Sequence, residues 1–214
     1  MDLKIVLATR NRGKIREIRD ILSGTGIETV TLDEFSPFDE PEETGSTFTE
    51  NAMIKAKATF EATGLPSLAD DSGLEVDALD GAPGIRSARY GGEGLTDIDR
   101  CRRLLSELEG VADGARTARF RCAMVLYPAP SPVDGASATE DAAFFTEGIL
   151  DGIITRAPAG ESGFGYDPVF YIEEMKGTAA EIGPEKKNSI SHRYRALIEM
   201  KNLLTGGAGI VKAE

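Results

Sequence analysis

The stretch Ala69-Asp70-Asp71-Ser72-Gly73-Leu74 sets two adjacent carboxylates, a hydroxyl and a glycine directly behind the short apolar run Leu65 to Ala69. Acids placed where a strand gives way to a turn can hold a hard cation. Mg²⁺ prefers oxygen ligands, keeps several waters, and is usually held by one or two carboxylates together with substrate phosphates. The same residues also read as an ordinary turn, because Asp, Ser and Gly favour turns through local hydrogen bonds and positive φ. The choice depends on what else in the chain could meet these acids.

A second candidate stretch is Thr9-Arg10-Asn11-Arg12-Gly13-Lys14. It follows the apolar, β-rich run Leu3 to Ala8 and precedes a helical pattern of Ile15, Ile18, Ile21 and Leu22, with Gly24 and Gly26 as stop signals. A strand, a polar glycine-containing turn and a helix in that order expose backbone N–H groups and the positive end of a helix dipole, which together attract phosphate. Arg10, Arg12, Lys14 and Arg16 concentrate positive charge there. The alternative is the solvated basic face of an ordinary helix. The Walker pattern Gly-x-x-x-x-Gly-Lys-Ser/Thr is absent.

Two later stretches suit a planar ligand. Gly160-Glu161-Ser162-Gly163-Phe164-Gly165-Tyr166-Asp167-Pro168 sets two aromatic rings and a carboxylate in a glycine-rich turn. Glycine admits close approach to the backbone, and an aromatic ring offers a stacking face; a loop supplying core aromatics is the plainer reading. Lys186-Lys187-Asn188-Ser189-Ile190-Ser191-His192-Arg193 then leads into a helical pattern of Ala196, Leu197, Met200, Leu203 and Leu204. His192 is the only histidine, so no second imidazole completes a zinc site.

These segments need a scaffold to position them. Ile27 to Leu32 reads as a second strand, and Asp33 to Gly45 as an acidic, proline-marked connection whose Glu42-Glu43-Thr44-Gly45 could lend a carboxylate to a metal. Ser46 is the expected N-cap of a helix running through Phe48, Ala52, Ile54, Ala56 and Phe60 to Gly64, which would present Lys55 from a rigid element. Asp80 to Gly92 carries too many glycines for a helix and reads as a shaped loop or irregular strand. Thr96 caps a helix with Ile98, Cys101, Leu104, Leu105 and Leu108 on one face, ending at Gly110. Ala118 to Tyr127 and Ala143 to Leu150 read as antiparallel neighbouring strands across a flexible Pro128 to Thr139 connection. Strands alternating with helices, then paired strands, predict an α/β protein with a mixed sheet.

Composition narrows the function classes. A chain of 214 residues suits a single domain over 1–214. Its 24 basic residues against 36 acidic ones, net −12, argue against a nucleic-acid polymer or an anionic membrane as partner. Cys101 and Cys122 lack Cys-x-x-Cys spacing and make no disulfide framework. Met1 to Ala8 is too short to span a membrane and no cleavage pattern follows it, so a soluble, cytoplasmic protein is expected.

In chain order the motifs are Thr9 to Lys14, Glu42 to Gly45, Phe48-Thr49-Glu50-Asn51-Ala52 with Lys55, Ala69 to Leu74, Gly81-Ala82-Pro83-Gly84-Ile85-Arg86-Ser87-Ala88-Arg89-Tyr90, Gly163 to Pro168, and Ser191-His192-Arg193. This series resembles the Ham1/RdgB family of inosine triphosphate pyrophosphatases over nearly the whole chain. The resemblance implies hydrolysis of ITP, dITP and XTP to monophosphate and pyrophosphate by a Mg²⁺-dependent homodimer. It implies an elongated mixed β-sheet flanked by helices, with two lobes around a nucleotide cleft. Glu42 and Asp71 would hold the metal with Asp70 close by, and Asp71 would also activate water. Thr9, Arg10, Asn11, Arg12, Gly13 and Lys14 would take the phosphates, assisted by Ser72, Lys55 and Lys187. Phe164, Gly165, Tyr166 and Asp167, with His192 and Arg193, would form the base pocket. Arg10 departs from the small or polar residue that family members often carry there, while Thr9, Asn11 and Lys14 stay in place.

The chemistry of those roles is coherent. Mg²⁺ and lysines spread the charge of a triphosphate while a carboxylate orients or deprotonates water. Adjacent carboxylates also raise one another's pKa until a cation binds. Hypoxanthine and xanthine present a 6-oxo acceptor where adenine presents a 6-amino donor, so donors from Arg193 or His192 would favour the former. Two alternatives stay open from sequence: a Maf-like pyrophosphatase acting on pyrimidine or modified nucleotides, and a non-catalytic nucleotide-binding protein. The Gly163 to Asp167 and Ser191 to Arg193 segments favour the purine enzyme over the first, and the retained Asp70-Asp71 pair speaks against the second.

Overall fold

Strand β1 (Leu3–Leu7) carries three fully buried residues in a row, Ile5, Val6 and Leu7, the mark of a parallel strand covered on both faces. It lies between two parallel partners. Strand β2 (Ile27–Thr31) pairs along its whole length, from Leu3 opposite Ile27 to Leu7 opposite Thr31. Strand β3 (Ser67–Val76) pairs through Val6 with Ser67 and Leu7 with Leu68. The computed structural model describes residues 3–92, 94–130 and 142–206. Within them the strands hydrogen-bond in the order β2-β1-β3-β4-β5-β6-β7, the mixed sheet of an α/β protein.

The chain forms two compact units. The first draws on Met1–Asp71, Ala123–Glu147 and Arg195–Glu214, the second on Ser72–Cys122 and Gly148–Tyr194. In the first, helix α1 (Arg12–Leu22) buries Ile18 and Leu22, and helix α2 (Phe48–Thr63) buries Ala52 and Ala56 against Ala69, Val125 and Tyr127. The N-cap of α2 is Thr47, whose side chain accepts the Glu50 N–H. Ser46, the expected cap, lies one residue outside, and its N–H and hydroxyl donate to the Glu50 carboxylate at 2.6 and 2.7 Å. Two adjacent hydroxyl residues compete for one cap, and the one three residues before Glu50 takes it. Gly64, with φ of 70°, ends the helix.

The expected turn at the acids is absent. Asp70, Asp71, Ser72 and Gly73 lie inside the ten-residue strand β3. Turn preference in such residues comes from local bonding, and here strand pairing and partners far along the chain outweigh it.

In the second unit, helix α3 (Asp97–Glu107) begins at Thr96, which forms a reciprocal capping box with Asp99. Cys101, Leu104 and Leu108 are fully buried in its core, whereas Ile98, in the first turn, is 38 % exposed. The glycine-rich stretch after β3 is not a loop or strand throughout, because Gly84–Arg89 forms a 3-10 run, which needs only i to i+3 bonds and tolerates the flanking glycines.

Strands β4 (Thr117–Tyr127) and β5 (Phe144–Ile154) are neighbours. Their register is antiparallel, since the Ile154 N–H bonds the Arg116 carbonyl at 2.9 Å and the Ala129 N–H bonds that of Ala142 at 2.7 Å. Of the expected connection, residues 131–139 lie outside the described residues. Strand β5 runs past Leu150 through Asp151 and Gly152. The buried Arg116 explains the extension, as its guanidinium holds the carbonyls of Ile154 and Thr155 at 2.8 and 2.7 Å. Two short strands, β6 (Phe170–Ile172) and β7 (Gly177–Thr178), were not evident from the sequence. Helices α4 (Pro184–Ile190) and α5 (His192–Thr205) follow. No helix among the described residues is long and apolar enough to cross a membrane.

Candidate active site

Successive side chains on a strand point to opposite faces, and this governs Asp70 and Asp71. Both are nearly buried, at 4 % and 9 % exposure, and each accepts a hydrogen bond from a different lysine. Asp70 Oδ2 accepts from Lys14 Nζ of α1 at 2.8 Å. Asp71 is held from α2, with Oδ1 accepting from Lys55 Nζ at 3.1 Å and Oδ2 from the Asn51 amide at 3.3 Å.

Lys55 Nζ also lies 3.0 Å from Glu43 Oε1, so one ammonium gathers two carboxylates. Glu43 makes this contact, and Glu42 beside it in sequence is exposed. Burial raises the Asp71 carboxyl above its ordinary range, Lys55 opposes that, and Glu43 adds to it. Glu43, brought in by the same ammonium, is therefore an acid that acts on Asp71. Burial works against the charge of Lys55, but the carboxylates of Asp71, Asp70 and Glu43 outweigh it and raise its pKa.

Asn51, part of the Phe48 to Ala52 motif but given no role there, belongs to the site. It is fully buried, and its Oδ1 accepts the Gly45 N–H at 2.8 Å while its amide reaches Asp71. Gly45 is required by this approach, since a Cβ there would stand 2.6 Å from Asn51 Oδ1. A signal was available: residues four apart share a helix face, so a Lys55 turned to the acids brings Asn51 with it.

The phosphate-attracting turn is divided by the structure. Lys14 turns to Asp70, whereas Arg10 is held by Glu40 at 2.9 Å and Asp33 at 3.5 Å. Arg12 lines a separate pocket with Arg16 and Arg19. The N–H groups of Gly13 and Lys14, expected to be exposed, donate to the Asn11 side chain, which caps α1. Thr9 Oγ1 accepts the Asn11 N–H at 3.2 Å. Ser72, the next residue of β3, is half-buried.

In the second unit, Asp167 is 1 % exposed, and its Oδ2 accepts from the Phe164 N–H at 2.9 Å and from Lys187 Nζ at 2.5 Å. Gly163, at φ +84°, packs so closely that any Cβ would overlap that carboxylate oxygen. Lys187 Nζ lies 4.6 Å from the centre of the Phe164 ring, which is half exposed. Lys187, expected among the phosphate ligands, is thus committed to the aromatic loop. Tyr166 is buried and donates its hydroxyl to the Ser87 carbonyl at 2.9 Å, so its ring supports the loop and offers no open face. Burial raises the pKa of its phenol. Gly165 is fixed by the Asp97 carboxylate at 2.7 Å. His192 stacks on Phe120 at 5.0 Å and 17°, and Arg193 beside it in sequence is also buried. Burial pushes the Cys101 thiol up to about 11, which removes it as a nucleophile.

Among the described residues no group of three or more His, Cys, Asp or Glu side chains converges as a metal cage. The donors at hand suit a cation that needs fewer, because Asp71 and Glu43 already converge on one positive charge with hard carboxylate oxygens.

Comparison with known proteins places this arrangement among relatives. A profile described as the Ham1 family matches residues 5–203. A protein of Desulforamulus reducens named dITP/XTP pyrophosphatase is 48 % identical over 202 residues, covering 94 % of this chain and 96 % of its own. One of the same name from Geobacter sulfurreducens is 49 % identical, covering 97 % and 98 %. The solved structure of a HAM1 protein from Coxiella burnetii superposes with a TM-score of 0.85 at 44 % identity, covering 95 % of this chain and 99 % of that one.

Proposed function

The chain belongs to the Ham1 family, and on that premise we propose that it hydrolyses the noncanonical purine nucleoside triphosphates dITP, ITP and XTP to monophosphate and pyrophosphate. The observation that carries this reading is the pair of opposed contacts on β3, Lys14 with Asp70 and Lys55 with Asp71. A protein that only bound an anion would need the lysines but not two nearly buried carboxylates beside them.

Each residue then has a task. Asp71 takes the proton of the attacking water, and its raised pKa makes it a stronger base. Asn51 and Lys55 hold its two oxygens in fixed directions. Attack at the α-phosphorus releases pyrophosphate intact. Lys14 and Lys55 spread the phosphate charge, with Thr9, Asn11, Gly13 and Ser72 alongside. Mg²⁺, bound through Asp71 and the acids near it, would polarise the phosphoryl oxygens and supply part of that charge stabilisation. Glu43 fits the second ligand position better than Glu42, because it already meets the same ammonium as Asp71.

The base is read by a separate group of residues. The exposed ring of Phe164 offers a stacking face, held in place by Asp167 and Lys187. His192 and Arg193 donate to the 6-oxo group that adenine lacks, and a site with such donors rejects the analogue that leaves them unpaired. The family resemblance also supports a homodimer acting in the cytoplasm.

A substrate panel that separates pyrophosphate from orthophosphate tests this. Rapid Mg²⁺-dependent pyrophosphate release from ITP, dITP and XTP, with slow turnover of ATP and GTP, is expected. Orthophosphate as the product, or equal rates on ATP and ITP, would overturn it.

A further inference from the structure

Helix α1 divides its cations between two faces. At about 3.6 residues per turn, Arg12, Arg16 and Arg19 fall within about 60° of one another, while Lys14 lies roughly opposite. Lys14 accordingly reaches Asp70. The three arginines are exposed and, with Thr31 and Asp33, line a pocket of about 400 Å³. This volume is within the usual range for small-ligand sites.

The arginines lack the partners that would make them an ordinary solvated face. Among the described residues Arg12 and Arg16 form no ion pair, and Arg19 meets only the Thr29 hydroxyl, at 3.4 Å. Arg12 with Arg16, and Arg16 with Arg19, are like charges at i,i+4 and i,i+3, which repel. Helix α1 has no acid in its first turn to offset them. Two carboxylates reach the lining, Asp20 and Asp33, and the second also faces Arg10. In a chain with 36 acidic residues against 24 basic, three guanidiniums so placed call for an external anion.

We propose that this pocket binds a condensed phosphate chain, free or as the tail of a nucleotide, at a second anion site apart from the Lys14 and Asp70 contact. Guanidinium forks match phosphate oxygens in pairs, which an ammonium cannot do. The site does not depend on the pyrophosphatase reading, since all its lining residues come from α1, β2 and the turn after them.

The test is calorimetric titration with inorganic pyrophosphate, ADP and inosine in the presence of a chelator, which stops metal-dependent turnover. The wild-type chain is compared with Arg16→Gln/Arg19→Gln, Arg16→Lys/Arg19→Lys and Lys14→Ala. Both arginine double variants are expected to lose one class of pyrophosphate binding, by about tenfold or more in affinity. ITP turnover at limiting substrate should stay within about twofold for exposed substitutions of this kind. Binding of pyrophosphate and ADP alike would mark the phosphate chain alone as the ligand, and binding of ADP only would mark a nucleotide tail. An unchanged isotherm in the Gln variant, full binding in the Lys variant, or loss confined to Lys14→Ala would overturn the proposal.

Discussion

Asp71 Oδ1 accepts from Lys55 Nζ at 3.1 Å, and this one contact ties strand β3 to helix α2 at the point where water would be activated. Lys55 also serves Glu43, so the carboxylate that does the chemistry competes for its own counter-charge. Replacing Asp71 by Asn keeps the shape and removes the base. Hydrolysis of ITP should fall by about two to four orders of magnitude while nucleotide binding persists, as measured by single-turnover rates beside equilibrium binding. An active variant would transfer the role of base to another residue.

The same substitution carries a stability prediction whose sign follows from linkage. Burial raises the Asp71 pKa above its unfolded value, so the folded state holds this proton more tightly. Stability from this group is therefore greatest below the unfolded pKa, and it declines as pH rises through the window between the unfolded and the folded pKa. Above that window the carboxylate is a net cost. Asp71→Asn should melt at a slightly higher temperature than the wild type at pH 7, and the difference should shrink in acid. A lower melting temperature at pH 7 would contradict this.

Asn51 is fully buried between the Gly45 N–H and Asp71. Asn51→Ala leaves a backbone donor and a carboxylate oxygen each short of a partner, at a cost of about 2 to 4 kcal/mol. Urea denaturation reads that loss. Turnover should drop more than nucleotide affinity does, because the orientation of the base is lost.

Lys187 and Asp167 form a buried pair at 2.5 Å. Lys187→Met strands a buried carboxylate and should cost about 3 to 5 kcal/mol, while the double variant Lys187→Met/Asp167→Asn should recover much of that. A double-mutant cycle in urea checks the coupling. Additive losses would mean that the ion pair is not what holds the Phe164 loop.

Phe164 is half exposed, so Phe164→Ala should change stability by no more than about 0.5 kcal/mol. Its effect should appear in KM for ITP, through loss of the stacking face, with the maximal rate little altered. Unchanged KM would remove Phe164 from the base pocket.

Much of this protein was legible in its sequence. Helical spacing of Ile15, Ile18, Ile21 and Leu22, and the caps at Thr96 and Gly64, are local signals; the first became α1 with Ile18 and Leu22 buried, and the caps became helix boundaries. The α/β class and the order of the motifs followed from the same local patterns. The partners did not. Whether Asp70 and Asp71 act together depends on strand alternation, and they read as a turn only until β3 placed one acid toward Lys14 and the other toward Lys55. Glu43 met Lys55, Arg10 turned to Glu40, and Lys187 turned to Asp167. These choices pair groups 12 to 30 residues apart in the chain. Propensity fixes which element a residue joins, but burial and the geometry of packed elements select which charge it meets.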